Sequence, residues 1–170
     1  MASFEEIFLS AKGKQRVTLI AELLTSDKRA LGQLQPFFQQ SKAGDRALCL
    51  EALELVTRTQ PKLAATCMSW VTEEIGSQAP AIQREASRVI ANAAKEFPDE
   101  AAQAIPALLA NTKNKGTVVR WSAALALAEI AKNNSKTRAK LVPLFEQLVA
   151  AEENSGVKNH YVKALKAIHK

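Results

Sequence analysis

The sequence predicts an all-α fold, an α–α superhelix of about four and a half to five stacked helix pairs. Three observations predict it. A four-residue apolar stripe recurs along the chain at a spacing of about 37 residues. A proline recurs in the helix that precedes most of these stripes. The 170-residue chain is 47% apolar, chiefly Ala and Leu, with only six Gly and six Pro. Ala and Leu lose little on entering a helix, and so few breakers leave no room for long loops.

In each repeat the stripe falls at i, i+3, i+4 and i+7, which is one face of a helix. The four copies are Cys49, Ala52, Leu53, Val56; Ala86, Val89, Ile90, Ala93; Ala123, Ala126, Leu127, Ile130; and Tyr161, Ala164, Leu165, Ile168. Near the start, Val17, Ile20, Ala21 and Leu24 keep the spacing in the unit that fits least well. The expected first helices lie near 3–11, 27–42, 61–77, 98–113 and 135–151. The second helices lie near 14–25, 45–59, 80–96, 117–133 and 156–169. Residues 1–170 then form a single repeat domain of units 1–26, 27–60, 61–97, 98–134 and 135–170.

The punctuation follows the same order. Ser3 with Glu6 forms a capping box opening the first helix. Pro36, Pro106 and Pro143, with Ser69 in the corresponding place, fall inside first helices, where proline removes a hydrogen bond and bends the helix. Gly44, Gly116 and Gly156 fall between the two helices of a unit, where the first must stop. Pro61, Pro80 and Pro98 are first-turn prolines, and Ser135 is an N-cap. Trp70 shares a column with Phe37, Ala107 and Leu144 and belongs to the core. Cys49 and Cys67 sit inside apolar helical patterns as small buried hydrophobes.

These residues resemble the HEAT-repeat family, an armadillo-type α-solenoid. Its unit is a helix with a mid-helix proline, a short turn, and a second helix opening with Val-Arg before an Ala/Leu stripe. Val119-Arg120 followed by Ala123, Ala126 and Leu127 is the nearest copy here. Val157-Lys158 is close, and Asp45-Arg46 and Ile82-Gln83 are looser. The resemblance implies a right-handed superhelix whose second helices line the concave side. It also implies structural roles for Arg46, Arg120 and Lys158. The family's Asp six positions before that Arg bonds along the stack. Here Gln40, Ser77, Asn114 and Glu152 stand in its place, so the ladder is not expected in that form.

Signatures of catalysis are missing. There is no glycine-rich phosphate loop and no Gly-x-Ser-x-Gly elbow. His160 and His169 lie about two and a half turns apart on one helix and cannot share a metal as i, i+4 pairs do. The adjacent acids Glu5-Glu6, Glu73-Glu74 and Glu152-Glu153 point to different sides of their helices. The expectation is a non-enzyme without cofactor or metal. The start lacks the basic region and apolar run of a signal peptide, and the longest Ala/Leu run, 123–128, is too short to cross a bilayer. A cytoplasmic protein with no membrane partner is therefore expected.

The net charge of +6 is uneven. Residues 1–85 carry ten basic and ten acidic side chains, and residues 86–170 carry thirteen and seven, so the whole excess lies in the second half. On each second helix the stripe opposite the core gives Ala47, Glu51, Glu54, Arg58; then Arg84, Arg88, Ala91, Lys95; then Trp121, Leu125, Ala128, Lys132; then Asn159, Lys163, Lys166, Lys170. The candidate partner-binding groove is Arg84, Arg88, Lys95, Trp121, Leu125, Lys132, Asn159, Lys163, Lys166 and Lys170. Two readings stand for Arg58, Lys95, Lys132 and Lys170: ligand contacts, or cations complementing a helix C-terminus. Two also stand for Trp121: a binding hot spot among cations, or half-buried packing.

Two function classes follow. The first is a non-catalytic scaffold whose basic concave groove takes an acidic protein or peptide. The second is nucleic-acid binding, since the groove resembles in outline that of the HEAT-like alkylpurine DNA glycosylases, with their basic concave face and tryptophans. Trp121 and the Arg/Lys residues have counterparts in kind, but no carboxylate is expected beside Trp121, so the alternative also lacks catalysis.

Overall fold

The computed structural model describes residues 2–169. Helices α1 (Phe4–Ser10), α2 (Lys14–Ser26), α3 (Ala30–Gln40) and α4 (Ala43–Thr59) come first. A 3-10 helix (Pro61–Thr66), α5 (Met68–Glu74), α6 (Pro80–Ala93), α7 (Pro98–Ala102) and α8 (Ile105–Asn111) follow. The chain ends with α9 (Thr117–Asn133), α10 (Ser135–Ala151) and α11 (Ser155–Ile168). No strand occurs among the described residues, and no helix there is long and apolar enough to cross a membrane.

Two layers result. The second helices α2, α4, α6, α9 and α11 each pack on the next, while α1, α3, α5, α8 and α10 each lie against the second helix that follows. The core lies between the layers. All four stripe residues of α4, α6 and α9 are buried, with Leu53, Ile90 and Leu127 wholly so. In α11, Tyr161 and Ala164 are buried, but Leu165 and Ile168 are half-buried because no further helix among the described residues covers that side. Trp70 is buried and packs on Phe38, ring centroids 5.0 Å apart. Cys49 and Cys67 are free and buried, and burial pushes the Cys49 thiol up to about 12.

Several boundaries differ from the expectation, each for a local reason. The expected helix over 61–77 is divided. Its first part is a 3-10 helix over Pro61–Thr66, with Ala64 buried in it and Cys67 at its C-cap. The expected helix over 98–113 is also divided. Gln103 and Ala104 donate to Glu100 and Ala101 in i→i−3 bonds, and Pro106, which has no N–H, lies in the first turn of the new helix α8. Pro36 and Pro143 instead lie within continuous helices. Gly44 and Gly156 sit in the first turn of a second helix, and Gly116 is an N-cap, so these glycines open helices rather than end them. Among the described residues the one with positive φ is Gly13 (φ 52°), the N-cap of α2. Asn134, not Ser135, caps α10, its side chain accepting from the Lys136 N–H. The Ser3–Glu6 capping box is present.

A polar ladder does join the units, and one of its acceptors, Glu152, stands at the family's Asp position. Arg16 pairs with Asp45 at 3.2 Å, Arg46 with Glu74 at 2.8 Å, and Arg120 with Glu152 at 2.9 Å. The remaining rung is neutral: the Gln83 amide donates to Asn111 at 3.3 Å, and Asn111 donates to the Ile75 carbonyl. Arg120 also donates to the carbonyls of Asn114 and Lys115. Arg46 and Arg120 are thus engaged within the stack.

Candidate functional site

The candidate face runs along α4, α6, α9 and α11. Because these helices stack side by side, not every position of the expected stripe reaches solvent. Glu54, Ala91 and Ala128 occupy the seams between neighbours and are buried. Lys166 holds the corresponding place on α11, where no following helix among the described residues covers it, and is exposed there at the edge of the stack. Arg58, Lys95, Asn159 and Lys163 are exposed, while Ala47, Glu51, Arg84, Arg88, Trp121, Leu125 and Lys132 are only partly so.

The first surprise is where the arginines go. Arg84 and Arg88 both bond Glu85, and Arg88 also reaches Glu54 at 3.1 Å. Glu54 takes Arg58 as well, at 2.7 Å, and accepts from the Asn92 amide. Glu54 and Glu85 are only 3% and 1% exposed. A carboxylate that dry must be paired, and removing its partner costs more than the pair contributes. Arg84 and Arg88 are therefore held as counter-ions of buried acids between α4 and α6.

The cations left on the surface are different ones. Lys95 and Lys163 are exposed and make no ion pair among the described residues. Lys132 pairs with Glu129. Arg58 keeps 54% of its side chain exposed despite its bond to Glu54. Arg58, Ala91, Asn92, Lys95, Leu125, Glu129, Lys132 and Asn133 line one depression of about 400 Å³ across α4, α6 and α9. Leu125 is half-buried in its floor. Asn159 is exposed on α11, and Lys170 lies outside the described residues.

Trp121 is half-buried. It packs against the core, and its ring meets that of His160 at 4.8 Å and 80°, an edge-to-face contact. Burial, and then Lys163, hold the His160 imidazole below its ordinary value. Glu129 acts on the same ring in the opposite direction. The Glu129 carboxylate pairs with Lys132, and the Asn133 amide donates to the Glu129 main-chain carbonyl.

The expectation missed Glu85, Asn92, Glu129 and His160. Each stands one position beside the stripe. A helix face wider than a single line of residues would have included them.

A family model described as Apoptosis inhibitory protein 5 (API5) matches residues 76–170. No curated protein matches the chain by sequence. Among solved structures, the chain is similar to an engineered protein of the Northeast Structural Genomics Consortium, with TM-score 0.73 and 18% identity over 98% of this chain. This chain spans 48% of that protein's length. A second engineered protein of that consortium gives TM-score 0.72 and 18% identity over 98% of this chain and 79% of its own. A designed armadillo repeat protein gives TM-score 0.70 and 17% identity over 98% and 87%. At such identity these three likenesses speak for the fold alone, an armadillo-type solenoid.

Proposed function

The chain belongs to the apoptosis inhibitory protein 5 family, an armadillo/HEAT-like helical family, and on that footing we propose that it is a non-catalytic scaffold. Its second-helix face binds an acidic protein or peptide. The observation that carries this reading is the depression over α4, α6 and α9, where Arg58, Lys95 and Lys132 stand against a single surface carboxylate, Glu129. Lys163 on α11 extends the same sign of charge. Such a field attracts an acidic partner over long range and raises the association rate. Leu125 and the open part of Trp121 add apolar contact area, which charge alone does not provide.

A second reading is nucleic-acid binding, favoured by one observation, a partly open tryptophan whose contact partner His160 lies near Lys163, unpaired among the described residues. Salt dependence separates the two. Polyglutamate and duplex DNA are titrated against the chain at several salt concentrations. Scaffold binding gives tighter association with polyglutamate and a shallow salt dependence. Duplex binding gives a log–log slope of about −0.9 per phosphate neutralised. Failure of polyglutamate to bind at any salt concentration would remove the acidic-partner reading.

A further inference from the structure

Arg58, Lys95 and Lys132 occupy the same place in three successive units: at the C-terminal end of α4, just past α6, and at the end of α9. Cations so placed ordinarily complement the helix dipole or bond the last carbonyls. Arg58 and Lys132 do lie in the last turns of their helices, but the last carbonyls of α9 are bonded by Arg138, whose guanidinium donates to those of Ala131 and Lys132 at 2.9 and 2.8 Å. The Arg58 side chain goes to Glu54 and the Lys132 side chain to Glu129. None of the three bonds a main-chain carbonyl among the described residues. Instead all three line the one depression, together with Asn92 and Asn133.

Packed helices lie about 8–10 Å apart, so successive cations advance by roughly that distance. A polyproline-II peptide repeats every third residue and rises about 9 Å in doing so. A β-strand returns a side chain to the same side every second residue, after only about 6.6 Å. Resting on the acidic-partner reading, we infer that the Arg58–Lys95–Lys132 row binds an extended acidic segment in polyproline-II form, with carboxylates at every third residue. Glu54 and Glu129 act as positioning groups that hold Arg58 and Lys132 in the row. The amide side chains of Asn92 and Asn133 line the track between the cations. An acidic chain suits this geometry in advance, since like charges along it favour the extended form.

Two fluorescein-labelled peptides test this, equal in length and in number of glutamates, with proline and serine between them. One carries glutamate at every third position and the other at every second. Fluorescence anisotropy is read at low salt with the wild-type chain, Lys95→Gln/Lys132→Gln and Lys163→Gln/Lys166→Gln. The inference expects the every-third peptide to bind about threefold or more tighter, and Lys95→Gln/Lys132→Gln to weaken it about three- to tenfold. All four lysines are at least partly exposed, so the variants keep the fold. Equal binding of both peptides overturns the register while leaving the acidic-partner reading intact. So does loss confined to Lys163→Gln/Lys166→Gln. Binding of neither peptide overturns both. A single-stranded oligonucleotide that displaces the every-third peptide and binds more tightly through Lys95 and Lys132 overturns the peptide assignment.

Discussion

The indole of Trp121 on α9 meets the imidazole of His160 on α11 edge to face, with centroids 4.8 Å apart. The contact joins the last two second helices across the candidate face. His160 is held below 6.5 by burial first, then by the nearby charges of Lys163 and Lys132. A histidine with a lowered folded value favours the folded state while neutral. That contribution is fully present above pH 6.5 and is lost as pH falls through the folded value. Denaturant midpoints should therefore drop as pH falls from 6.5 through the folded value, and the drop should be smaller in His160→Gln. Trp121 fluorescence should change over the same range, which a Trp70→Phe background isolates. A pH-independent indole signal would contradict the contact.

The Arg120–Glu152 rung makes a second prediction. Arg120 makes two bonds to Glu152 and two to carbonyls of the preceding turn. Arg120→Ala should cost about 1.5–3 kcal/mol in urea titration, as for hydrogen bonds to a charged group. Arg120 also holds the Glu152 carboxyl below 4.5. The linked stability is present above that value and is lost as pH falls through the lower folded one. Glu152→Gln should flatten this acid limb. An unchanged limb would assign the rung no energetic role.

Core depth differs along the stack, and truncation should reveal it. Leu127 is wholly buried between α6 and α11, so Leu127→Ala should cost about 2–5 kcal/mol. Leu165 is half-buried on the open side of α11 and should cost clearly less when truncated. Equal losses at the two positions would mean that the last helix is covered in solution.

Thiol chemistry checks the middle of the stack. Cys49 and Cys67 are buried, and burial raises both thiols, Cys49 to about 12. The thiolate is the reactive form, so both should resist a thiol reagent in the native chain and react on unfolding. Rapid native labelling of Cys49 would contradict its place between α4 and its neighbours.

Much of the fold was legible in the sequence because repeats state their own register. The stripes led by Cys49, Ala86 and Ala123 place the core of α4, α6 and α9 without any tertiary information. The divided helices were not legible. Whether Pro106 bends a helix or restarts one depends on the i→i−3 bonds before it, and those depend on packing. The ladder was only partly legible, because Glu152 stands at the family's Asp position while the other acceptors, Asp45, Glu74 and Asn111, do not. At the candidate face, residue type and column were visible, but partner choice was not. Nothing in the pattern shows that Arg84 and Arg88 serve Glu85 and Glu54, since Glu54 lies a full repeat away from Arg88 and becomes dry only when α4 and α6 meet.

The claim that the second-helix face is the binding surface is tested most directly by mapping where an acidic chain binds. Backbone amide shifts of the labelled protein are recorded as polyglutamate is added. The account predicts that the perturbed amides cluster at the C-terminal ends of α4, α6 and α9 and along α11, including those of Lys95, Leu125, Lys132 and Lys163, while α3, α8 and α10 stay unmoved. Shifts concentrated on α3, α8 and α10, or none at saturating polyglutamate, would contradict it.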